Sequence, residues 1–509
     1  MKRLAFFTAS IAVAIGLNAC TTFHAKTLPE PIQPEALIEN EDTLNVWVYL
    51  TDKGLINSLE AYKNVVSERS LLRRAKVKPG NQLLDTTDIP VKQAYIDSIA
   101  RYVVKVRFPS RWFNALSVRA TPTQIKRISE FPFVRQINPT KRLPAGETSY
   151  TDNALQFFAP DPYKNTQILQ HRLNYGPSLE QLELLNIPVL HDSGNCGQGV
   201  LIGMFDSGVG LLNHEVFDSL TVIATYDFVD DESDIAPGNH GTMTLSAAAG
   251  YKPGQLIGPA YCASYVLART EVATSETPVE EDNWVRAIEW ADSIGIDIAS
   301  TSLGYLDYDP RDTVDGPEDW TWKDMDGNTT LITRAADMAA SKGILVFNSA
   351  GNGGENPLHN TLGAPADGDS IIAVGAVFGK DITGSTGKIL FVKKERAFFS
   401  SVGPTTGKDP RIKPDIMAMG IYVYLAHPND PRLYTESHGT SFACPVAAGA
   451  AALLLRDHPE ATPMQIRDAL RLTADNAKNP DNRYGWGVPD LVAALKYLDD
   501  LLGTAKPPR

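Results

Sequence analysis

Four residues along this chain have types that do chemistry in concert, and each stands where a buried core has no need of it. Asp206 closes the apolar run VLIGMFD, His240 opens HGTMTLSAAAG, Asn352 lies within NSAGNGG, and Ser441 lies within GTSFACP. A serine hydroxyl is a weak nucleophile near neutral pH unless a neighbour takes its proton, and imidazole is the side chain whose pKa suits that exchange. A carboxylate fixes the imidazole, and an amide donates to an oxyanion. Ser441 is followed at once by small and apolar residues. It therefore stands at the N-terminal end of a predicted helix, where free backbone N–H groups collect and negative charge is favoured. A structural serine would do better inside the helix, bonding back to a carbonyl one turn earlier. Taken singly, Asp206 reads as a turn residue before Gly208, and Asn352 as a left-handed turn between glycines. His240 is one of nine histidines, and its HGT string recurs at His438. Together the four supply a nucleophile, a base, an orienting carboxylate and an oxyanion donor.

Such residues need a rigid scaffold. From residue 166 to residue 503 the β-rich runs GVLIGMFDSG, ASYVLART, DIASTSLGY, GILVFNSAGN and SIIAVGAV alternate with helical stretches such as NWVRAIEWADSIG and LITRAADMAASKG. The alternation predicts an α/β domain with a parallel sheet, helices on both faces and a site at the carboxyl ends of the strands. Residues 44–145 predict a small α+β domain instead. Its strands are NVWVYL, ARYVVKVRF and FNALSVRAT, the last two separated by a turn at Pro109 and Ser110. A helix follows, opened by a Thr121–Gln124 capping box with Pro122 at the first helical position and stopped by Pro132, and the strand VRQINP closes the unit. Residues 21–43 read as a polar tether, 146–165 as a junction and 504–509 as a tail.

The motifs MFDSGVG, NHGTMTLSAAAG, SLGY, SAGNGG, FFSSVGP, KPDIMAMG and GTSFACPVAAGAAALL together resemble those of the subtilisin-like serine proteases, the subtilases, and Asp, His and Ser follow in that family's chain order. The resemblance implies a three-layer, subtilisin-like catalytic domain with a mostly parallel sheet, preceded by an inhibitory, fold-assisting propeptide. It makes Ser441 the nucleophile, His240 the general base and then acid, Asp206 the group that holds the imidazole, and Asn352 the oxyanion donor beside the Ser441 N–H. Ser302, Leu303 and Gly304, with Ser349, Ala350 and Gly351, resemble the two backbone walls of the substrate cleft, where an extended peptide pairs as an added strand. Their small side chains leave room for a large apolar or aromatic P1 residue unless Tyr305 or the loop after it narrows the pocket. The implied function is that of an exported serine endopeptidase acting through an acyl-enzyme on a peptide or protein substrate, made as a precursor inhibited by its own propeptide. Candidate maturation cuts lie between Gly146 and Tyr163, and Phe157 or Phe158 suits an apolar pocket.

The chain departs from the best-known members at Phe442, Cys444 and Val446, where they carry methionine, serine and histidine; none of these positions takes part in the chemistry. Cys444 reads as a small buried hydrophobe. The loop YKPGQLIGPA, where many relatives hold calcium, is short and lacks carboxylates, and DMDGN (324–328) carries only part of a calcium-loop pattern. No metal and no cofactor is expected. The insertion from Asp307 to Asp326 should overhang the cleft, as a solvated loop, a specificity element for basic substrates or a calcium loop. An α/β-hydrolase esterase does not fit, because GTSFA lacks the second glycine of a nucleophile elbow and the chain order is wrong. A catalytically inactive subtilase-fold surface binding protein is the alternative.

The first twenty residues, MKRLAFFTASIAVAIGLNAC, have a basic start, an apolar run from Leu4 to Leu17 and small residues before Cys20. This is the pattern of an export signal. Its end, LNAC, resembles the lipobox of bacterial lipoproteins, which implies a lipidated Cys20 and a place in the cell envelope, on the periplasmic or outer side of a membrane. No later segment is long and apolar enough to span. A net charge of -13 argues against a nucleic-acid partner. Of the other cysteines, Cys196, Cys262 and Cys444 show no metal-ligand spacing; an odd count leaves one thiol over, and Cys196 and Cys262, each just before a predicted strand, are a possible pair. Nothing in the sequence speaks to oligomeric state.

Overall fold

The computed structural model describes residues 43–56, 58–80, 82–140, 171–272, 277–306, 320–384 and 388–503. Residues 1–42 and 141–170, which carry the signal, Cys20, most of the tether, the junction and both candidate phenylalanines, lie outside the described residues, as do 307–319 of the insertion and the tail 504–509.

The N-terminal unit runs β1 (Leu44–Leu50), α1 (Glu68–Arg74), α2 (Gln93–Ala100), β2 (Lys105–Ser110), β3 (Ala115–Ala120), α3 (Pro122–Ser129) and β4 (Val134–Pro139). The strands form one antiparallel sheet in the order β2-β3-β1-β4. The α+β reading holds, and α3 carries the expected Thr121–Gln124 box with Pro122 in its first turn. Three details differ. Helices α1 and α2 are additional, and Ala100–Val104 ends α2 and turns rather than opening a strand. Pro109 and Ser110 belong to β2, and the turn is Arg111–Asn114. Because β2 is an edge strand, Pro109 has no inner ladder bond to break there.

β1 explains why this unit needs a partner. Val46, Val48 and Leu50 point into the unit's own core with Val118, Ile125 and Ile128, while the alternate residues Trp47 and Tyr49 enter a second core. A sheet that is apolar on both faces buries one on its own helices and must bury the other elsewhere.

The larger unit continues through α4 (Leu179–Glu183), α5 (Ile187–Asp192), β5 (Leu201–Asp206), β6 (Thr221–Asp227), α6 (His240–Ala249), the small pair β7 (Tyr251–Lys252) and β8 (Leu256–Ile257), β9 (Ser264–Arg269), α7 (Val279–Ile294), β10 (Ile298–Thr301), α8 (Leu331–Ser341), β11 (Leu345–Ser349) and β12 (Ile372–Val377). Two hairpins flank its last sheet strand: β13 (Ile382–Thr383) with β14 (Ile389–Phe391), then β15 (Ile416–Met419), then β16 (Val423–Ala426) with β17 (Tyr434–Ser437). Helices α9 (Thr440–Asp457), α10 (Pro463–Leu472) and α11 (Leu491–Leu502) end it. Seven strands form one sheet, β15-β12-β11-β10-β5-β9-β6, in which every pairing is parallel. The expected sheet is present, with β6 and β15 added to the anticipated strands.

Period two along the strands sorts the layers. Ile202, Met204, Leu345 and Phe347 face a core built with α6 and α9, whereas Leu201, Phe205, Val346 and Ala299 face one built with α7 and α8. The second core is the one that Trp47, Tyr49, Phe108 and Phe113 of the N-terminal unit complete. Cys196 and Cys262 form a disulfide, and Cys444 is free and buried.

Candidate active site

The nucleophile turn is built from the outside in. Gly439, with φ of 151°, precedes α9 in a conformation that side-chain-bearing residues rarely adopt, and so brings Thr440 and Ser441 into the first helical turn. There the Ser441 N–H has no carbonyl one turn earlier in the helix to bond. Pro445 lies inside α9 and lacks the N–H that would reach back to the Ser441 carbonyl. The Ser302 hydroxyl donates to that carbonyl instead, at 2.7 Å. The Ser441 hydroxyl donates to the Ser302 carbonyl at 3.3 Å, a long contact that leaves it weakly held.

Asp206 ends β5 and His240 begins α6. Their Oδ1 and Nδ1 atoms lie 2.8 Å apart. Asp206 is 4 % exposed, and a carboxylate so buried needs donors. Besides His240, the Ser207 N–H at 2.7 Å and hydroxyl at 3.4 Å reach Oδ1, and the Thr244 hydroxyl reaches Oδ2 at 2.9 Å. The same imidazole packs against the Phe442 ring, with centroids 5.5 Å apart, so one side chain of α9's first turn bridges from Ser441 to His240.

Asn352 is oriented by Thr440. Its Oδ1 accepts from the Thr440 N–H at 3.0 Å and from the Thr440 hydroxyl at 2.9 Å. A backbone N–H only donates, so the oxygen must face Thr440 and the Nδ2 group is turned the other way. That is the orientation an oxyanion donor requires.

The anticipated walls meet at the same place. The Leu303 carbonyl accepts from the Ser349 hydroxyl at 3.2 Å and from Asn348 Nδ2 at 3.0 Å, which ties the end of β10 to the end of β11. The Gly351 N–H donates to Thr440 Oγ1 at 3.3 Å, and the Ala350 N–H to the Val374 carbonyl at 2.9 Å. Ser302, Leu303, Ser349 and Ala350 are buried, Gly351 is half-buried and Gly304 is exposed. Tyr305 does not narrow the cleft: it is wholly buried, bridged by its backbone to Ala364, with its hydroxyl donating to Glu271 at 3.1 Å. The backbone of Gly363 passes Gly304 so closely that a Cβ on Gly363 would sit 3.2 Å from Gly304 atoms.

Four contributors escaped the sequence reading: Thr244, Thr440, Phe442 and Gly363. Thr244 left a signal, since it follows His240 by four residues and so shares its helix face. The others depend on contacts between distant segments. Cys444 packs under the turn with Sγ 3.5 Å from the Thr301 carbonyl, and burial pushes its thiol up to about 12, which suits an inert hydrophobe. Asp324 and Asp326 of the DMDGN stretch are engaged in local caps, Asp324 toward Thr321 and Asp326 toward Asn328 and Thr329.

Comparison with known proteins identifies the family. Residues 197–487 match the model of the subtilase family, and residues 45–154 match that of the peptidase S8 propeptide domain of Bacteroidota. The chain is 32% identical to subtilisin DY of Bacillus licheniformis over 317 residues, covering 62% of this chain and 97% of that protein. It is 32% identical to subtilisin E of Bacillus subtilis over 316 residues, covering 61% and 70%. Among solved structures it resembles fervidolysin from Fervidobacterium pennivorans, described as a keratinolytic enzyme related to subtilisin, with a TM-score of 0.57 at 19% identity. That match covers 90% of this chain and 61% of the other, and it speaks to fold alone.

Proposed function

Because this chain belongs to the subtilase family, we propose that Asp206, His240 and Ser441 are its catalytic triad and Asn352 its oxyanion donor. The chain is a serine-type endopeptidase made as a precursor, with a peptide substrate and its own propeptide as partners. The observation that carries the residue assignment is the 2.8 Å pairing of His240 with a buried Asp206 that two further residues hold in place.

In this reading Ser441 Oγ attacks the scissile carbonyl carbon as His240 Nε2 takes its proton, and the carbonyl electrons move onto oxygen. Asn352 Nδ2 and the Ser441 N–H donate to that oxygen. Asp206 holds the Nδ1 side of the ring and stabilises the imidazolium. Collapse breaks the C–N bond, His240 passes its proton to the leaving amine, and an ester on Ser441 remains. Water then attacks the ester with His240 again as base, which releases the acid and restores the hydroxyl. The exposed Gly304 beside Gly363 supports a large apolar or aromatic P1 side chain, with Ser302, Leu303, Ser349, Ala350 and Gly351 fixing the walls.

Residues 44–145 serve as the propeptide domain and 166–503 as the catalytic domain, with maturation between Gly146 and Tyr163. Subtilases are typically secreted, and among the described residues no helix is long and apolar enough to cross a membrane. The sequence of residues 1–20 supports export, with Cys20 as a lipidated anchor that holds the enzyme at a bacterial envelope. A fluorophosphonate probe tests the assignment: it should label Ser441 in mature protein and nothing after Ser441→Ala. Failure to label mature wild-type protein would make the fold an inactive binding module.

A further inference from the structure

We propose that His438 is a positioning residue for the nucleophile: its imidazole accepts from the Tyr422 backbone and so ties the Tyr422 turn to the segment that delivers Ser441. The inference rests on Ser441 being the nucleophile.

The β16–β17 pairing runs outward to Val423 opposite Ser437 and stops there. One residue further, beyond the paired residues, the Tyr422 N–H donates to His438 Nδ1 at 3.0 Å. One residue beyond that, the Gly439 N–H donates to the Gly420 carbonyl at 2.9 Å. Thr440 follows, fixed to Asn352, and then Ser441. The segment is therefore secured at every step from Ser437 to the nucleophile, and of these ties only the one at His438 runs through a titratable acceptor. Tyr422 makes the tie necessary. Its φ of 56° places a bulky non-glycine residue in the left-handed region, a conformation that persists only where the surroundings impose it. Its ring also meets the imidazole edge to face, centroids 4.8 Å apart.

An accepting Nδ1 requires the proton to be on Nε2. Protonation would place a second N–H against the Tyr422 N–H and remove the acceptor. Burial, not a neighbouring charge, holds the His438 imidazole below its ordinary value, which favours the neutral ring that the tie requires. The titratable groups around it are Tyr422 itself, Glu436 two residues back on β17, and the Lys380–Glu180 pair near Glu436. The first turn of α9 contributes no acidic side chain.

The test is the pH dependence of kcat and KM for matured enzyme from the full precursor, as wild type, H438Q and H438L, from about pH 4 to about pH 9. Glutamine offers an oxygen to the Tyr422 N–H and does not titrate. H438Q should retain most of kcat near pH 8 and lose one ionisation from the acid limb that wild type shows. H438L should lose kcat on the order of tenfold with KM within about twofold, the split expected when a catalytic group is misplaced but the cleft is not. An H438Q acid limb that overlays wild type, or an H438L with wild-type kcat, overturns the proposal. If H438L does not fold, the H438Q profile decides alone. Probe labelling keeps the two readings apart: an unlabelled wild type removes the nucleophile assignment, whereas labelled enzymes with coincident profiles remove only the role of His438.

Discussion

At the scale of single residues, the site depends on how each polar atom is already committed. Asp206 is met by donors of three residues, and only His240 among them belongs to the proposed chemistry; Thr244 and Ser207 keep the carboxylate facing the imidazole. A hydrogen bond to a charged group is worth about 1.5–3 kcal/mol. Thr244→Val should therefore lower kcat about tenfold while leaving KM within about twofold, measured on a chromogenic peptide; a proportionate change in KM would mean that the cleft and not the triad was disturbed. Asn352→Ala should cost about 10² to 10³ in kcat, the magnitude known for the corresponding asparagine of subtilisin and taken from it. Asp206, His240, Asn352 and Ser441 stood out in the sequence as candidates because their types are out of place at the ends of apolar runs. Thr440 and Phe442 did not, because what matters about them is a partner eighty-eight or more residues away in one case and a ring from another helix in the other.

At the scale of elements, α7 is the surface on which the N-terminal sheet is held. Asp282 accepts from Trp47 Nε1 at 2.6 Å, Ser117 Oγ at 2.7 Å and Arg107 at 2.5 Å, and Asp292 pairs with Arg73, Arg74 and Arg111. Glu289 takes the Ser110 hydroxyl and the Arg111 N–H. Burial pushes the Glu289 carboxyl up to about 7, against the pull of Arg111 and Ser110. Release of the propeptide returns the carboxyl to water, and with the burial gone the pKa falls back toward the usual carboxylate range. A group whose pKa is raised in the complex favours the complex below its free pKa, and that preference is lost as pH rises through its value in the complex. Propeptide affinity should thus weaken between about pH 4.5 and pH 7, and Glu289→Gln should flatten that portion of the curve in an inhibition assay; an unchanged slope would contradict it. The disulfide belongs to this scale too. Cys196 and Cys262 are separated by 66 residues, a loop that holds both Asp206 and His240. Closing such a loop restricts the unfolded chain by about 4 kcal/mol in the entropic model. Thiol reduction, or Cys196→Ser with Cys262→Ser, should lower Tm by several degrees, and an unmoved Tm would show that the bond carries no stability.

At the scale of the whole molecule, the division into a small α+β unit and a parallel α/β unit was legible because hydrophobic period changes along the chain. The docking was less so. NVWVYL announces a strand with two apolar faces, yet only the structure shows Trp47 and Tyr49 completing the core of α7 and α8. Helices α1 and α2 were passed over because their short helical runs carry ordinary polar composition, and β6 because its exposed edge position leaves no continuous apolar run. The two units share one core and a set of buried ion pairs, an arrangement suited to a precursor that folds as one body and is then cut. The most direct measurement is a time course of intact mass for the chain expressed without residues 1–20, wild type beside Ser441→Ala. The account predicts that wild type alone shortens, by a cut between Gly146 and Tyr163, while Ser441→Ala stays whole. Equal shortening of both, at the same position and rate, would contradict it.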